Sequence, residues 1–168
     1  MAGRILIAYA SDLGSTPEIA QAIGQELQSA GHAVDVADMK TVTSLEGYSS
    51  VVIGVPIYTG FAGLGDIGNF LKTRFSEQLV RMPVAVFVEG LLHEGTAPNN
   101  DNVMNGIKQG ISPITPVASV LFCGILDSKR AGFWTNHFGD IRNIPSGKYQ
   151  DWDRIRAWAK ELPPLLKA

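Results

Sequence analysis

A single cysteine, Cys123, stands in the whole chain, which excludes an intrachain disulfide framework and any CxxC redox or zinc motif. It lies in the apolar run Val120-Leu121-Phe122-Cys123-Gly124 and reads as a buried small hydrophobe. The histidines, His32, His93 and His137, share no metal-ligand spacing. Gly-Lys-Ser and Gly-Lys-Thr are both missing, so the lysine- and magnesium-dependent triphosphate loop is excluded. No signal peptide and no apolar run long enough to cross a bilayer is found, and a cytoplasmic location is expected. Basic residues form no dense cluster, and the net charge of -2 gives no reason to expect nucleic acid. With no triad, paired carboxylate or metal cluster standing out, no catalytic residue is assigned.

What the chain does have is an ordinary soluble composition, 45% hydrophobic and 18% charged, over a length that suits a single domain spanning residues 1–168. Its organising stretch is Ser11-Asp12-Leu13-Gly14-Ser15-Thr16, a polar loop between the apolar run Ile5-Leu6-Ile7-Ala8-Tyr9 and an amphipathic helix that Pro17 opens. The run is too short for a buried helix and reads as a central strand of a parallel sheet. The loop is then a strand-to-helix turn, which aims backbone N–H groups and the positive end of a helix at one spot. Ser11, Ser15 and Thr16 add hydroxyl donors, and Gly14 lets the backbone approach a guest closely. Phosphate is the natural guest, held by neutral donors, with the Asp12 side chain turned outward. Thr16 suits the N-cap with Pro17 as the first helical residue. A capped helix start without any ligand is the plainer reading of the same turn.

Downstream, apolar spacing predicts a helix through Ile19, Ala20, Ile23, Leu27 and Ala30, stopped at Gly31. An exposed strand at 33–38 and a buried one at 51–55 follow. A helix over 65–79, a buried strand at 84–88, a weaker helix over 98–109 and a last strand at 117–126 come next. Asp151 caps a terminal helix that Pro163-Pro164 should stop. Strict alternation of strands and helices makes an α/β fold, a doubly wound five-stranded parallel sheet of order 2-1-3-4-5 in a three-layer sandwich. Ligands in such sheets sit outside the carboxyl ends of the strands, at the switch point between strands one and three.

The run from Tyr9 to Thr16, followed by Ala20 and Ile23, resembles the flavodoxin signature, whose loop holds the phosphate of FMN. The resemblance implies FMN as cofactor, with Ser11, Asp12, Leu13, Gly14, Ser15 and Thr16 at its phosphate. Ala8 and Pro17 depart from the usual pattern, and Pro17 removes one N–H from the nest. Pro56, Ile57, Tyr58, Thr59, Gly60 and Phe61 follow the third strand. Tyr58 or Phe61 could stack on a flavin ring, and the Thr59-Gly60 peptide could bond near its N5. The resemblance implies a peptide there that reorients on reduction, which Gly60 makes easy. Sealing the end of the sheet is the other use for these aromatics. After the fourth strand, the resemblance puts backbone groups of Glu89, Gly90 and Leu91 at the pyrimidine edge, where acidic side chains would lower the flavin potential. His93 reads as a solvated loop residue.

Gly63-Leu64-Gly65-Asp66-Ile67-Gly68 fits G-x-G-x-x-G, with Glu89 roughly where a ribose-binding acid belongs, but Pro56 to Ala62 separate it from its strand and argue against a dinucleotide. A phosphate-accepting receiver needs an Asp after the third strand, and Pro56 occupies that end. Residues 127–149 form a long loop or insertion before the terminal helix. Lys129, Arg130, Phe133, Trp134, His137, Phe138 and Arg142 suit a lid, a docking surface or a self-association patch, or aromatics folded into the core.

Val52-Ile53-Gly54, Ile57, Gly60, Phe70, Leu71, Asp151-Trp152 and the helix through Ala159 resemble the menaquinone-dependent protoporphyrinogen oxidase branch of flavodoxin-like proteins. The 127–149 segment does not follow that branch in sequence. The expected function is electron transfer through bound FMN, with a redox partner protein or a small-molecule acceptor. The alternative is an FMN-dependent oxidoreductase acting on a quinone or porphyrinogen. Oligomeric state is left open.

Overall fold

Ile5, Leu6, Ile7 and Ala8 are apolar on both sides of the pleat, and in the computed structural model both sides are buried. The structure describes residues 3–10, 15–56, 65–90, 100–126 and 145–167. Strand β1 (Arg4–Tyr9) lies between β2 (Val34–Asp38) and β3 (Tyr48–Pro56), and β4 (Val84–Gly90) and β5 (Ala118–Cys123) complete a five-stranded sheet of order β2-β1-β3-β4-β5. Every neighbouring pair is parallel. This is the doubly wound order expected from the alternation of elements. The two-residue period splits each inner strand between two cores. Leu6, Ala8, Val51, Ile53, Val84, Val86 and Val88 enter one core, while Ile5, Ile7, Val52, Ala85 and Phe87 enter the other.

Helix α1 (Thr16–Ser29) covers the second face together with the terminal helix, α5 (Trp152–Leu166). Helix α1 ends as its sequence predicts: Gly31 takes φ +92°, its N–H donates to Gln28 O at 2.9 Å, and His32 N–H donates to Leu27 O at 3.1 Å. That pair of bonds closes the last turn, and only glycine takes such a φ without strain. On the opposite face lie α2 (Gly65–Gly68), a π turn (Asn69–Arg74), α3 (Ser76–Leu79) and α4 (Asn100–Gly110). An apolar cavity of about 210 Å³ opens there, lined by Val55, Ile67, Leu71, Ile107 and Ile111 together with Lys72.

Several elements depart from expectation. The helix predicted over 65–79 is interrupted, because a π turn brings residues five apart onto one side. Phe75 N–H donates to Phe70 O at 3.2 Å, and both rings enter the core, 4.9 Å apart and edge to face. The last strand divides at Gly124. Its end, β6 (Ile125–Leu126), pairs antiparallel with β7 (Gly147–Lys148) in a separate ribbon. Cys123 is half-buried instead of buried, since it lies on the edge strand. The terminal helix begins as predicted, with Asp151 Oδ1 accepting from Arg154 N–H at 3.0 Å, but it runs through Pro163 and Pro164. Leu162 and Leu166 are both fully buried, and burying Leu166 compensates the N–H groups that two prolines remove from the final turn.

Candidate functional site

The carboxyl ends of β1, β3, β4 and β5 share one edge of the parallel sheet, and Glu89 on β4 reaches the first turn of α1 from it. Pro56 closes β3 opposite Glu89 of β4, and Glu89 in turn stands opposite Phe122 of β5. Ala10 N–H donates to Gly54 O at 3.0 Å, so the pairing of β1 continues right up to the polar loop. The helix opens one residue earlier than predicted: Thr16 is already helical and Ser15 is the N-cap. Ile19 N–H donates to Ser15 O at 3.1 Å, which is the first helical bond. Pro17 falls within the first turn, where its missing N–H has no intrahelical partner to lose.

Ser15 is an N-cap that does not cap with its side chain. Its hydroxyl donates to Oε1 of Glu89, and the Thr16 hydroxyl donates to Oε2 of the same carboxylate at 2.5 Å. All three side chains are buried: Ser15 is 1% exposed, and Thr16 and Glu89 are 0%. Glu89 is in phase with Ala85 and Phe87, so its side chain leaves β4 toward the α1 and α5 layer. Below it the rings of Phe87 and Phe122 lie 6.3 Å apart, and Trp158 meets Phe122 edge to face at 5.7 Å. An apolar floor of this kind strengthens any charge-assisted hydrogen bond made above it.

Gly124 completes the enclosure. A Cβ at this position would overlap the Glu89 carboxylate, so glycine there is a condition of the carboxylate's placement. Gly124 N–H donates to Gly90 O at 2.9 Å, and Tyr149 N–H donates to Gly124 O at 3.0 Å. The chain that departs after Leu126 and returns at Pro145 is therefore fastened beside Glu89 at both ends by the β6–β7 ribbon.

Of the residues singled out in the sequence, the structure brings Ser15, Thr16 and Glu89 into direct contact and sets Pro56 and Gly90 beside them on the strand ends. Ser11, Asp12, Leu13, Gly14, Ile57, Tyr58, Thr59, Gly60, Phe61 and Leu91 lie outside the described residues, as does the 127–144 part of the long segment. What sequence reasoning missed is the bonding of the Glu89 side chain to Ser15 and Thr16, since it weighed that acid only as a charge near a flavin ring or as a ribose ligand. A signal was present: an acid closes the apolar run Val84-Ala85-Val86-Phe87-Val88, in phase with residues that face the α1 and α5 layer.

The donor set suits an anion. Two buried hydroxyls and the positive end of a fourteen-residue helix converge on one place, and a carboxylate already stands there. A phosphate group fits the same donors by chemistry. The apolar cavity under Val55 belongs to the other face of the sheet and is a separate feature.

Comparison with known proteins agrees with this arrangement. A model of the flavodoxin domain matches residues 6–148. No curated protein matches the chain. Among solved structures, a flavodoxin from the domain Archaea is 15% identical, covering 98% of this chain and 99% of that one, with a TM-score of 0.57. A Streptococcus pneumoniae TIGR4 flavodoxin is 17% identical over 96% of this chain and 98% of its own, also at 0.57. Oxidised flavodoxin 1 from Bacillus cereus is 14% identical over 96% and 97%, at 0.59. At these identities the structures establish the fold. Among the described residues, no helix is long and apolar enough to cross a membrane.

Proposed function

Since the chain belongs to the flavodoxin domain family, whose members bind FMN, we propose that it binds FMN at the carboxyl edge of the sheet and transfers electrons through it. The observation that carries this reading is the pair of buried hydroxyl donors, Ser15 and Thr16, at the N-terminus of α1. Their position next to the β1/β3 switch point is where an open sheet of this order takes its ligand. In this reading the loop from Ser11 to Thr16 holds the phosphate. Residues Pro56 to Phe61 and Glu89 to Leu91 form the walls of the ring site.

When bound, FMN supplies reversible electron transfer at its ring. The chain's own contribution is placement and exclusion of water. The Phe87, Phe122 and Trp158 floor keeps solvent from the buried end of the site, and the strand ends fix the backbone around it. The 127–149 segment, rich in aromatics and cations, is the proposed docking surface for a redox partner. The working compartment in this reading is the cytoplasm.

The finer likeness to the menaquinone-dependent protoporphyrinogen oxidase branch rests on scattered residues from Val52 to Ala159. We adopt electron transfer over an oxidoreductase acting on a quinone or porphyrinogen. The test is a visible spectrum of protein incubated with FMN and desalted, followed by stepwise anaerobic reduction. One flavin retained per chain is expected, and none retained refutes the reading. Reduction in separate one-electron steps supports a carrier. A single two-electron step favours an oxidoreductase acting on a quinone or porphyrinogen.

A further inference from the structure

Ser15 and Thr16 each have one hydroxyl proton to donate, and both protons are directed at Glu89. A phosphate that uses the same two donors can do so only when the carboxylate gives them up. Glu89 is fully buried, on the strand next to Gly124, and a side chain at 124 would collide with it. The fold has therefore reserved room for this carboxylate at the anion-binding end of α1. An ionised carboxylate and a phosphate beside the same hydroxyls also repel each other strongly in so dry a setting.

From this geometry we infer that Glu89 is a built-in competitor for the phosphate of the cofactor, which lowers the preference of this chain for FMN over riboflavin. The inference rests on the proposed flavin-binding function. Riboflavin carries the same ring without the phosphate, so it gains nothing from the hydroxyls and loses nothing to Glu89. The competition then appears in the ratio of the two dissociation constants, in which any change at the shared ring cancels.

Glu89→Gln keeps the shape of the side chain and removes its charge. Its amide oxygen accepts one hydroxyl, while its NH₂ group offers a new donor to an anion. Glu89→Leu removes every polar atom and suits the apolar floor of Phe87 and Phe122. The experiment measures dissociation constants of FMN and riboflavin for the wild type and both variants by flavin fluorescence quenching at one salt concentration. The thermal midpoint reports on the fold.

The expected result is that the FMN-to-riboflavin preference rises at least tenfold in Glu89→Gln or Glu89→Leu. An unchanged preference overturns the inference and leaves the proposed function standing. A reduced preference overturns it too, because Glu89 would then be arranging the hydroxyls for the phosphate. A wild type that holds neither flavin refutes the proposed function, and the inference falls with it.

Discussion

Replacing Thr16 by valine removes one hydrogen bond to a buried carboxylate and almost nothing else. Valine has the shape of threonine, so no cavity opens, and Thr16 is fully buried, so no solvent steps in for the lost donor. A hydrogen bond to a charged group contributes about 1.5–3 kcal/mol, and an acceptor left short of partners in the interior costs a similar amount. Thr16→Val should therefore lower the unfolding free energy of the flavin-free protein by about 2 kcal/mol. For a chain of this length that is a fall in Tm of about 4–8 °C. Urea denaturation followed by tryptophan fluorescence measures it, with the slope against urea unchanged. The decisive quantity is the coupling with Glu89→Gln. With the charge gone, the Thr16 bond falls to the neutral range of about 1 kcal/mol, so the double variant should lose about 1 kcal/mol less than the sum of the singles. Additivity within about 0.5 kcal/mol would show that the hydroxyl and the carboxylate do not interact, and the account of the site would fail with it.

Two other regions give independent tests. Leu166 lies beyond Pro163-Pro164 yet is 0% exposed, so Leu166→Ala should cost about 2–5 kcal/mol; a loss below about 0.5 kcal/mol in urea denaturation would mean the helix stops at the prolines after all. At the opposite end of the sheet from the site, the Tyr48 hydroxyl donates to Asp35 Oδ2 at 2.8 Å, and Arg4 pairs with Asp35 at 2.7 Å. Burial first, then the bond to Asp35 and its charge, raise the Tyr48 pKa above its ordinary value of 10.0, against a smaller lowering by Arg4. The folded state thus holds this proton more tightly than the unfolded one, so the contribution is fully present below about pH 10 and is lost as pH rises through the raised value. Tyr48→Phe should flatten the alkaline part of the stability profile, and a profile unchanged by the substitution would contradict the pairing with Asp35.

The sheet was legible because its inner strands are buried on both faces and so appear as unbroken apolar runs. Ile5 to Ala8, Val51 to Val55 and Val84 to Val88 each fill two cores at once, and nothing else of that length competes with a strand. What the runs do not carry is how the ends of elements are fixed. Pro163-Pro164 signals a stop by local rules, yet the buried Leu166 holds the last turn in place. The 65–79 segment has helical spacing, but Phe70 and Phe75, five apart, can share the core only through a π turn. Both departures are cases of burial overriding local propensity.

The site divides along the same line. Ser15 and Thr16 are visible as donors from their neighbours in the chain, because a strand, a polar turn and an amphipathic helix follow one another within a few residues. Their partner is 73 and 74 positions away, across a crossover that sets β4 beside β3. A reading that moves along the chain assigns the hydroxyls to an external anion, since it sees the donors and no acceptor. The phase of β4 supplies the acceptor: Ala85 and Phe87 face the layer of α1 and α5, so the next residue on that face must as well, and that residue is an acid. A carboxylate at this place is costly to bury without donors, and a helix N-terminus is where donors are concentrated. The same physics that suits the turn to an anion suits it to the buried carboxylate of Glu89, which is why the hydroxyls of Ser15 and Thr16 and the acid's position cannot be altered independently.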